Sequence, residues 1–273
     1  MLPEPGSSAV SWARTADAQG AVLGGLAVVA SRWNNEWIAS NRQCLTMDDD
    51  QFASRREQLM AEIALGAVLM SDQLGRETFD PRVIEAMTCV PRHEFVPHEL
   101  QDHAYLNRPL SIGYGKTISN PLIIAVMTDL LRLEPDHQVL EVGTGLGYHA
   151  AILSELAGRV YSLEIVDELA QQARRRLRRH ARNNIEVISA NGANGLPEMA
   201  PFDRILVTAA PDLIPPALLN QLKPGGRMII PAGLEGSQML YLVTKDAGGR
   251  LAVQEILPVG FLPLEGDAPS VAS

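Results

Sequence analysis

The sequence has few cysteines, an excess of acids over bases and no long hydrophobic run, and each shortage excludes a class of protein. Two cysteines, Cys44 and Cys89, imply no disulfide framework, so a reducing compartment, here the cytoplasm, is the default. The net charge of −9 argues against nucleic acid as the main partner. The apolar run at residues 20–30 is too short to span a bilayer, and the residues before it lack the positive charge of a signal peptide. No membrane partner is therefore predicted.

The basic run at residues 174–180 is a local exception to the acidic composition. Like charges clustered in a helix-like segment most often form a solvated face, so this run is not predicted to bind nucleic acid. His93, His98 and His103 recur at a five-residue interval, which does not stack on one helical face. No metal site is therefore predicted.

Composition divides the chain into three parts. Residues 1–46 begin with prolines, glycine and serines that are typical of disorder. They are predicted to be an extension, or a mis-called start if translation begins at Met47. Residues 47–265 are predicted to form one domain, with a helical N-terminal part at about 51–133 and a core at about 134–265. Residues 266–273 form a tail.

The spacing of apolar residues predicts the fold class. Helices are predicted at 51–74, 81–89, from 120 or 121 to 133, and at 148–156, 167–181 and 215–222, and a loop at 90–97. Strands are predicted at 138–142, 160–164, 185–189, 204–208, 227–231, 239–245 and 251–257. Their alternation predicts an α/β, Rossmann-like fold, with a mostly parallel sheet and helices on both faces. The last two strands, joined by a turn, predict an antiparallel C-terminal pair.

A glycine loop follows the strand predicted at 138–142. Gly143, Gly145 and Gly147 stand at every second position, and Glu141 precedes them. Glycine permits positive φ and lets a ligand lie against bare backbone, while the helix that follows offers unpaired N–H groups. The pattern predicts a nucleotide-type cofactor site, with a strand–helix turn without a ligand as the alternative.

The spacing of the glycines, together with two acidic residues, indicates which cofactor binds. NAD sites prefer G-x-G-x-x-G, whereas this loop is G-x-G-x-G, so an NAD-dependent enzyme is supported by fold alone. The carboxylate of Glu141 suits a cationic ligand such as S-adenosylmethionine. Glu164 ends the next strand, about 20 residues after the loop, and is predicted to bind ribose hydroxyls. Alternatively, Glu164 is a solvated residue at the end of its strand and binds no ligand.

Five stretches of sequence carry a resemblance to a known family. They are residues 90–97 (VPRHEFVP), 113–121 (GYGKTISNP), the glycine loop, 201–211 (PFDRILVTAAP) and 222–227 (LKPGGR). From about residue 51 to about residue 264 the chain resembles protein-L-isoaspartate O-methyltransferases, which are class I S-adenosylmethionine-dependent methyltransferases. Many methyltransferases share the glycine loop and 222–227, but residues 117–121 are much more specific to this family.

The resemblance implies an activity, a cofactor and a set of residues. Family members methylate the free carboxylate of an isoaspartyl residue in a damaged protein or peptide, and the ester collapses to a succinimide. S-adenosylmethionine leaves as S-adenosylhomocysteine, and the enzyme is expected to be a monomer. Ser119 corresponds to the active-site serine, with Thr117 as a second candidate donor. The residues assigned to the cofactor are Glu141, Gly143, Thr144, Gly145, Gly147, Tyr148, Glu164, Asn191 and Gly192.

The chemistry of the reaction agrees with these roles. A carboxylate of pKa about 4 is ionised at neutral pH, so its methylation needs alignment rather than a general base. The hydroxyls of Ser119 and Thr117 are neutral donors that steady a carboxylate without blunting its nucleophilicity. Capping of the helix that begins near Pro121 is an alternative role for Ser119, and the two roles are compatible.

Four residues depart from the family pattern. Asn191 replaces an acid near the adenine but keeps a carbonyl acceptor. Leu146 and His149 replace a serine and a glutamine. Lys116 replaces a glutamine, and its charge either attracts an anionic peptide or points to solvent. Two alternatives stay open: the same chemistry on a dedicated peptide substrate, and a non-catalytic S-adenosylmethionine-binding protein.

Overall fold

The computed structural model describes residues 50–180 and 182–266, so the predicted extension at 1–46, the alternative start at Met47 and residues 267–273 of the tail lie outside the described residues. The helices in this part of the chain are α1 (Asp50–Leu69), α2 (Ser71–Leu74), α3 (Pro81–Cys89), α4 (Pro121–Leu131), α5 (Tyr148–Leu156), α6 (Asp167–Arg179) and α7 (Pro216–Gln221). The strands are β1 (Leu110–Gly113), β2 (Lys116–Ile118), β3 (Gln138–Val142), β4 (Arg159–Glu164), β5 (Ile185–Ser189), β6 (Phe202–Val207), β7 (Leu222–Ala232), β8 (Met239–Lys245) and β9 (Leu251–Pro258). Short 3₁₀ helices cover Arg92–Phe95, His98–His103, Gly192–Asn194 and Pro197–Met199.

Seven strands form the central sheet in the order β5-β4-β3-β6-β7-β8-β9. The strands from β5 to β7 are parallel, and β8 and β9 are antiparallel, which confirms the predicted sheet and its C-terminal strand pair. The chain builds outward from β3 to β4 and β5 on one side, and then to β6 and β7 on the other. The carboxyl ends of β3 and β6 therefore form a topological switch point, where ligands bind in folds of this kind.

Apolar side chains cover both faces of the sheet. Neighbouring residues of a strand point to opposite faces, and accordingly Val139 and Leu140 of β3 belong to two different core clusters. Burying a side chain of this size contributes about 1.5–3 kcal/mol relative to leaving it exposed. Packing on both faces leaves the strand ends as the place where a ligand reaches the sheet.

Helix boundaries in the N-terminal part follow local signals. Asp80 Oδ1 accepts a hydrogen bond from the Arg82 N–H at 2.9 Å and caps α3. The single helix predicted over 51–74 is wrong, because α1 ends at Leu69 and a separate short helix begins at Ser71.

The β1–β2 hairpin was not predicted. It is antiparallel, pairs Ser111 with Thr117, and turns through Tyr114 at a φ of 54° between two glycines. Strands of four and three residues are too short to show a recognisable alternation of apolar and polar residues. The hairpin positions Thr117 and leads directly to Ser119.

The basic run and the cysteines differ in how they match the expectations from composition. On α6, Arg175, Arg178 and Arg179 are exposed, as a solvated charged face requires. Cys89 is disulfide-bonded, which differs from the expectation that the cysteines form no disulfide. None of the helices within residues 50–180 and 182–266 has the length and apolar character needed to cross a membrane.

Candidate functional site

A cavity of about 370 Å³ opens beside the glycine loop at the carboxyl ends of the parallel strands. Its walls come from the ends of β3 and β4, from the β1–β2 hairpin and from residues 258–265. The predicted site residues that line it are Thr117, Ser119, Gly143, Gly145, Glu164 and Gly192. The fold thus brings residues assigned to the cofactor and residues assigned to the acceptor around one space.

The glycine loop keeps its backbone bare because side chains do not fit there. Gly143, Gly145 and Gly147 have φ of 98°, 56° and 96°, values that other residues rarely adopt. A Cβ on Gly143 would lie 2.2 Å from Thr208 Oγ1. That hydroxyl donates to the Gly143 carbonyl at 2.8 Å and fixes the first turn of the loop. Thr208 was not among the predicted site residues, although it lies at the end of a predicted strand and within the stretch 201–211.

Glu164 is fixed at the cavity wall rather than solvated. It is 5% exposed, and its Oε2 accepts a hydrogen bond from the Gly145 N–H at 2.7 Å while Oε1 accepts one from the Val166 N–H at 3.0 Å. A carboxylate has about four acceptor sites, so both oxygens retain lone pairs for further donors. This arrangement suits a vicinal diol such as a ribose.

The structure places Glu141 differently from the prediction. Its side chain is fully buried on β3, accepts a hydrogen bond from Ser162 Oγ, and does not line the cavity. Burial raises the pKa of Glu141 to about 8, so the carboxyl is protonated at neutral pH. Ser162 Oγ lies 2.5 Å from Thr144 Oγ1. Glu141 therefore supports the loop through Ser162 and Thr144 instead of presenting a negative charge to a cationic ligand.

Replacing Glu141 by Gln is expected to change how stability depends on pH. The folded state keeps a proton on Glu141 up to about pH 8, whereas the unfolded chain releases it near its ordinary pKa. The folded state binds more protons between these values, so the free energy of unfolding falls as pH rises, by at most about 1.4 kcal/mol per pH unit. The variant lacks this effect, and its stability relative to the wild type is expected to rise between about pH 5 and about pH 8. Urea unfolding at several pH values checks this, and parallel pH dependence in both proteins would contradict it.

Ser119 is not the cap of the helix that follows. Asn120 caps α4, because its Oδ1 accepts hydrogen bonds from the N–H groups of Leu122 at 2.8 Å and Ile123 at 3.2 Å. Ser119 is half-buried and lines the cavity. The capping alternative is therefore wrong for Ser119, whose hydroxyl is left for another partner.

A buried arginine holds the backbone of Ser119. Arg92 is 0% exposed, and it donates from Nη2 to the Ser119 carbonyl and from Nε to the Ala104 carbonyl, each at 2.8 Å. Its guanidinium carbon lies 4.9 Å from the centre of the Tyr148 ring, a cation–π distance. Burial lowers the pKa of Arg92 to about 10, which leaves it charged at neutral pH. The sequence analysis gave Arg92 no role, and its 3₁₀ helix, Arg92–Phe95, replaces part of a predicted loop.

Besides Glu141 and Thr144, three residues predicted to bind the cofactor are absent from the lining of the larger cavity. Tyr148 is 2% exposed and packs under Arg92. Gly147 is the N-cap of α5, where a Cβ would lie 3.2 Å from Leu177. Asn191 Oδ1 accepts a hydrogen bond from the Ala193 N–H at 3.0 Å, and only its neighbour Gly192 lines the cavity.

A second space of about 30 Å³ adjoins Ser119. It shares Thr117, Ser119, Gly143 and Gly145 with the larger cavity, and its wall also includes Thr144, Leu146, Tyr148 and His149. His149 Nε2 lies 2.8 Å from Thr128 Oγ1, and burial lowers the pKa of His149 to about 3, so the ring is neutral. The departures at Leu146 and His149 thus surround the acceptor serine with uncharged groups.

The lining of the larger cavity fits S-adenosylmethionine. Its volume lies within the range of small-molecule sites. The bare backbone at Gly143 and Gly145 allows close approach of a ligand, and Glu164 presents acceptors for a diol. In the part of the chain that the structure describes, no cluster of three or more His, Cys, Asp or Glu residues is placed to hold a metal ion.

Comparison with known proteins gives consistent matches. The model of the protein-L-isoaspartate(D-aspartate) O-methyltransferase family matches residues 67–268. Protein-L-isoaspartate O-methyltransferase 1 of Polaromonas sp. is 55% identical over 224 residues, which are 82% of this chain and 95% of the relative. Protein-L-isoaspartate O-methyltransferase 2 of Syntrophobacter fumaroxidans is 53% identical over 219 residues, covering 80% and 89%.

Solved structures agree with the sequence matches. A protein-L-isoaspartate O-methyltransferase from Plasmodium falciparum, in complex with S-adenosyl-L-homocysteine, is 26% identical with a TM-score of 0.62 and covers 68% of this chain and 91% of its own. Another protein-L-isoaspartate O-methyltransferase is 28% identical with a TM-score of 0.66, covering 77% and 66%.

Proposed function

The chain belongs to the protein-L-isoaspartate(D-aspartate) O-methyltransferase family, and from this premise we propose that it methylates the free carboxylate of L-isoaspartyl residues in damaged proteins and peptides. The methyl donor is S-adenosylmethionine, and the ester starts repair through a succinimide. The supporting observation is the single cavity that joins the glycine loop and Glu164 to Thr117 and Ser119. An NAD-dependent enzyme is not favoured, because the chain belongs to a methyltransferase family. A binding protein without catalysis is not favoured, because Thr117 and Ser119 both line the cavity.

The cofactor is assigned to one side of the cavity. Gly143, Gly145 and Gly192 offer bare backbone, and Glu164 accepts from the ribose hydroxyls. When bound, S-adenosylmethionine supplies a methyl group made electrophilic by its sulfonium. Glu141, Thr144, Gly147, Tyr148 and Asn191 are assigned to the support of this wall rather than to direct contact.

The acceptor carboxylate is assigned to the hairpin side. It arrives ionised, so no residue has to remove a proton from it. Ser119 and Thr117 donate hydrogen bonds that orient one carboxylate oxygen toward the methyl group, which is catalysis by alignment. Arg92 contributes indirectly, because it donates a hydrogen bond to the Ser119 carbonyl and fixes that backbone, while its charged guanidinium lies over the Tyr148 ring.

A paired-peptide assay tests the proposal. Purified protein and labelled S-adenosylmethionine are incubated with two peptides that differ only in carrying an isoaspartyl or an aspartyl residue. We expect methyl incorporation with the isoaspartyl peptide alone. Equal labelling of both peptides, or of neither, would contradict the proposed substrate, and transfer to one dedicated peptide only would favour the narrower alternative.

Domain layout, oligomeric state and compartment complete the proposal. One methyltransferase domain at 47–265, with a helical part at about 51–133 and a core at about 134–265, is supported by the family match over 67–268. A monomer in the cytoplasm stays a prediction. Light scattering measures the oligomeric state. Cell fractionation measures the compartment, and the disulfide-bonded Cys89 makes that measurement necessary.

A further inference from the structure

Lys116 and Glu265 form an ion pair at the wall of the cavity. Lys116 comes from β2 and Glu265 from the C-terminal segment, and both line the cavity together with Thr117 and Ser119. The Lys116 side chain is 18% exposed, whereas that of Glu265 is 55% exposed. The ammonium is therefore held at the cavity wall instead of extending into solvent, and its carboxylate partner is the more accessible member of the pair.

The charges around the cavity make Lys116 distinctive. Among the described residues it is the one cationic side chain in the lining, whose acids are Glu164 and Glu265. Glu164 is held by backbone N–H groups on the cofactor side. A peptide that carries extra negative charge is repelled by both acids, and of the lining side chains Lys116 alone attracts it.

The geometry points to Lys116 as a specificity-determining residue that binds a second carboxylate of the acceptor peptide, close to the isoaspartyl residue, in exchange for Glu265. This inference rests on the proposed function and names the substrate class: isoaspartyl segments with a neighbouring acid. The exchange is feasible because the Glu265 side chain is 55% exposed and moves into water when an incoming carboxylate takes its place on Lys116.

The carboxylate that Lys116 binds is not the one that is methylated. A cation held on the reacting oxygen stabilises the ground state and lowers its nucleophilicity. The pair with Glu265 keeps the ammonium occupied, while the Thr117 and Ser119 hydroxyls remain for the reacting group. A neighbouring acid is therefore bound without slowing methyl transfer, and the effect falls on kcat/KM rather than kcat.

The test uses isoaspartyl peptides that are identical except for Glu or Gln at a residue flanking the isoaspartyl position. We expect the wild type to favour the Glu peptide by about two- to five-fold in kcat/KM at low salt. Lys116→Gln is expected to abolish the preference, Lys116→Glu to reverse it, and Glu265→Gln to increase it by removing the competing carboxylate. Lys116→Gln is expected to lower kcat/KM for the Glu peptide more than for the Gln peptide.

Lys223→Gln is the matched control, because Lys223 also sits in an ion pair, 2.7 Å from Asp203 Oδ1, but does not line the cavity. This variant is expected to keep the wild-type preference. Equal rates with both peptides in the wild type, or an equal loss for both in Lys116→Gln, would overturn the inference. No transfer to either peptide would contradict the proposed function and this inference with it.

Discussion

Replacing Ser119 by Ala is expected to lower kcat for an isoaspartyl peptide by about 10- to 100-fold, since a hydrogen bond to a charged group contributes about 1.5–3 kcal/mol. The change removes only the hydroxyl. The backbone carbonyl that accepts from Arg92 stays, and Asn120 still caps α4. The fold and the affinity for S-adenosylhomocysteine are therefore expected to remain close to those of the wild type. Steady-state kinetics and calorimetric titration measure the two quantities.

Two controls separate catalysis from stability in that experiment. Ser237→Ala removes a hydroxyl that contacts the Leu234 carbonyl on an exposed loop, and it is expected to leave kcat unchanged. Asp80→Ala removes the cap of α3 and is expected to cost about 1 kcal/mol of stability without a specific loss of turnover. A parallel fall of turnover and cofactor affinity in Ser119→Ala would show that the residue acts in folding.

Replacing Glu164 by Gln is expected to weaken cofactor binding with little change in kcat, the reverse of the result expected for Ser119→Ala. The amide keeps one acceptor oxygen, so one of the N–H groups of Gly145 and Val166 loses its partner and a ribose hydroxyl loses another. The lost backbone hydrogen bond is missing from the free and the bound protein alike and lowers stability. The lost ribose hydrogen bond, worth about 1.5–3 kcal/mol, raises the Kd for S-adenosylhomocysteine by about 10- to 100-fold. The kcat at saturating S-adenosylmethionine is expected to change little, because Glu164 does not contact the acceptor.

Glu168→Gln is the matched control for the second variant. Glu168 is an exposed acid in the first turn of α6, close in sequence to Glu164. Its replacement is expected to leave the Kd unchanged. Unaltered cofactor affinity in Glu164→Gln would show that the ribose is held elsewhere, and loss of kcat alone would exchange the roles assigned to Glu164 and Ser119.

The core of the fold was predictable because its strands are short apolar runs that alternate with helices. The bounds of β3, β5 and β8 and of α3 and α5 coincide with the predicted ranges. The same pattern located the glycine loop and Glu164, because glycines directly after a strand are typical of a nucleotide-type cofactor site. These features depend on residues close together in the sequence.

The features that were missed depend on contacts between distant residues. Both faces of the parallel sheet are covered, so no polarity pattern showed whether Glu141 faces the cavity or Ser162 on β4. Adjacent Ser119 and Asn120 are both good caps, and only the structure distinguishes them. Arg92 is a charged residue with no measurable exposure, a rare placement that sequence patterns do not predict.

A crystal structure with S-adenosylhomocysteine and an isoaspartyl peptide tests the central claim most directly. We expect the ribose hydroxyls within hydrogen-bond distance of Glu164, the sulfur beside Gly143 and Gly145, and the free carboxylate of the isoaspartyl residue in contact with Ser119 Oγ. A cofactor bound outside this cavity, or a carboxylate with no contact to Ser119, would contradict the assignment of the site.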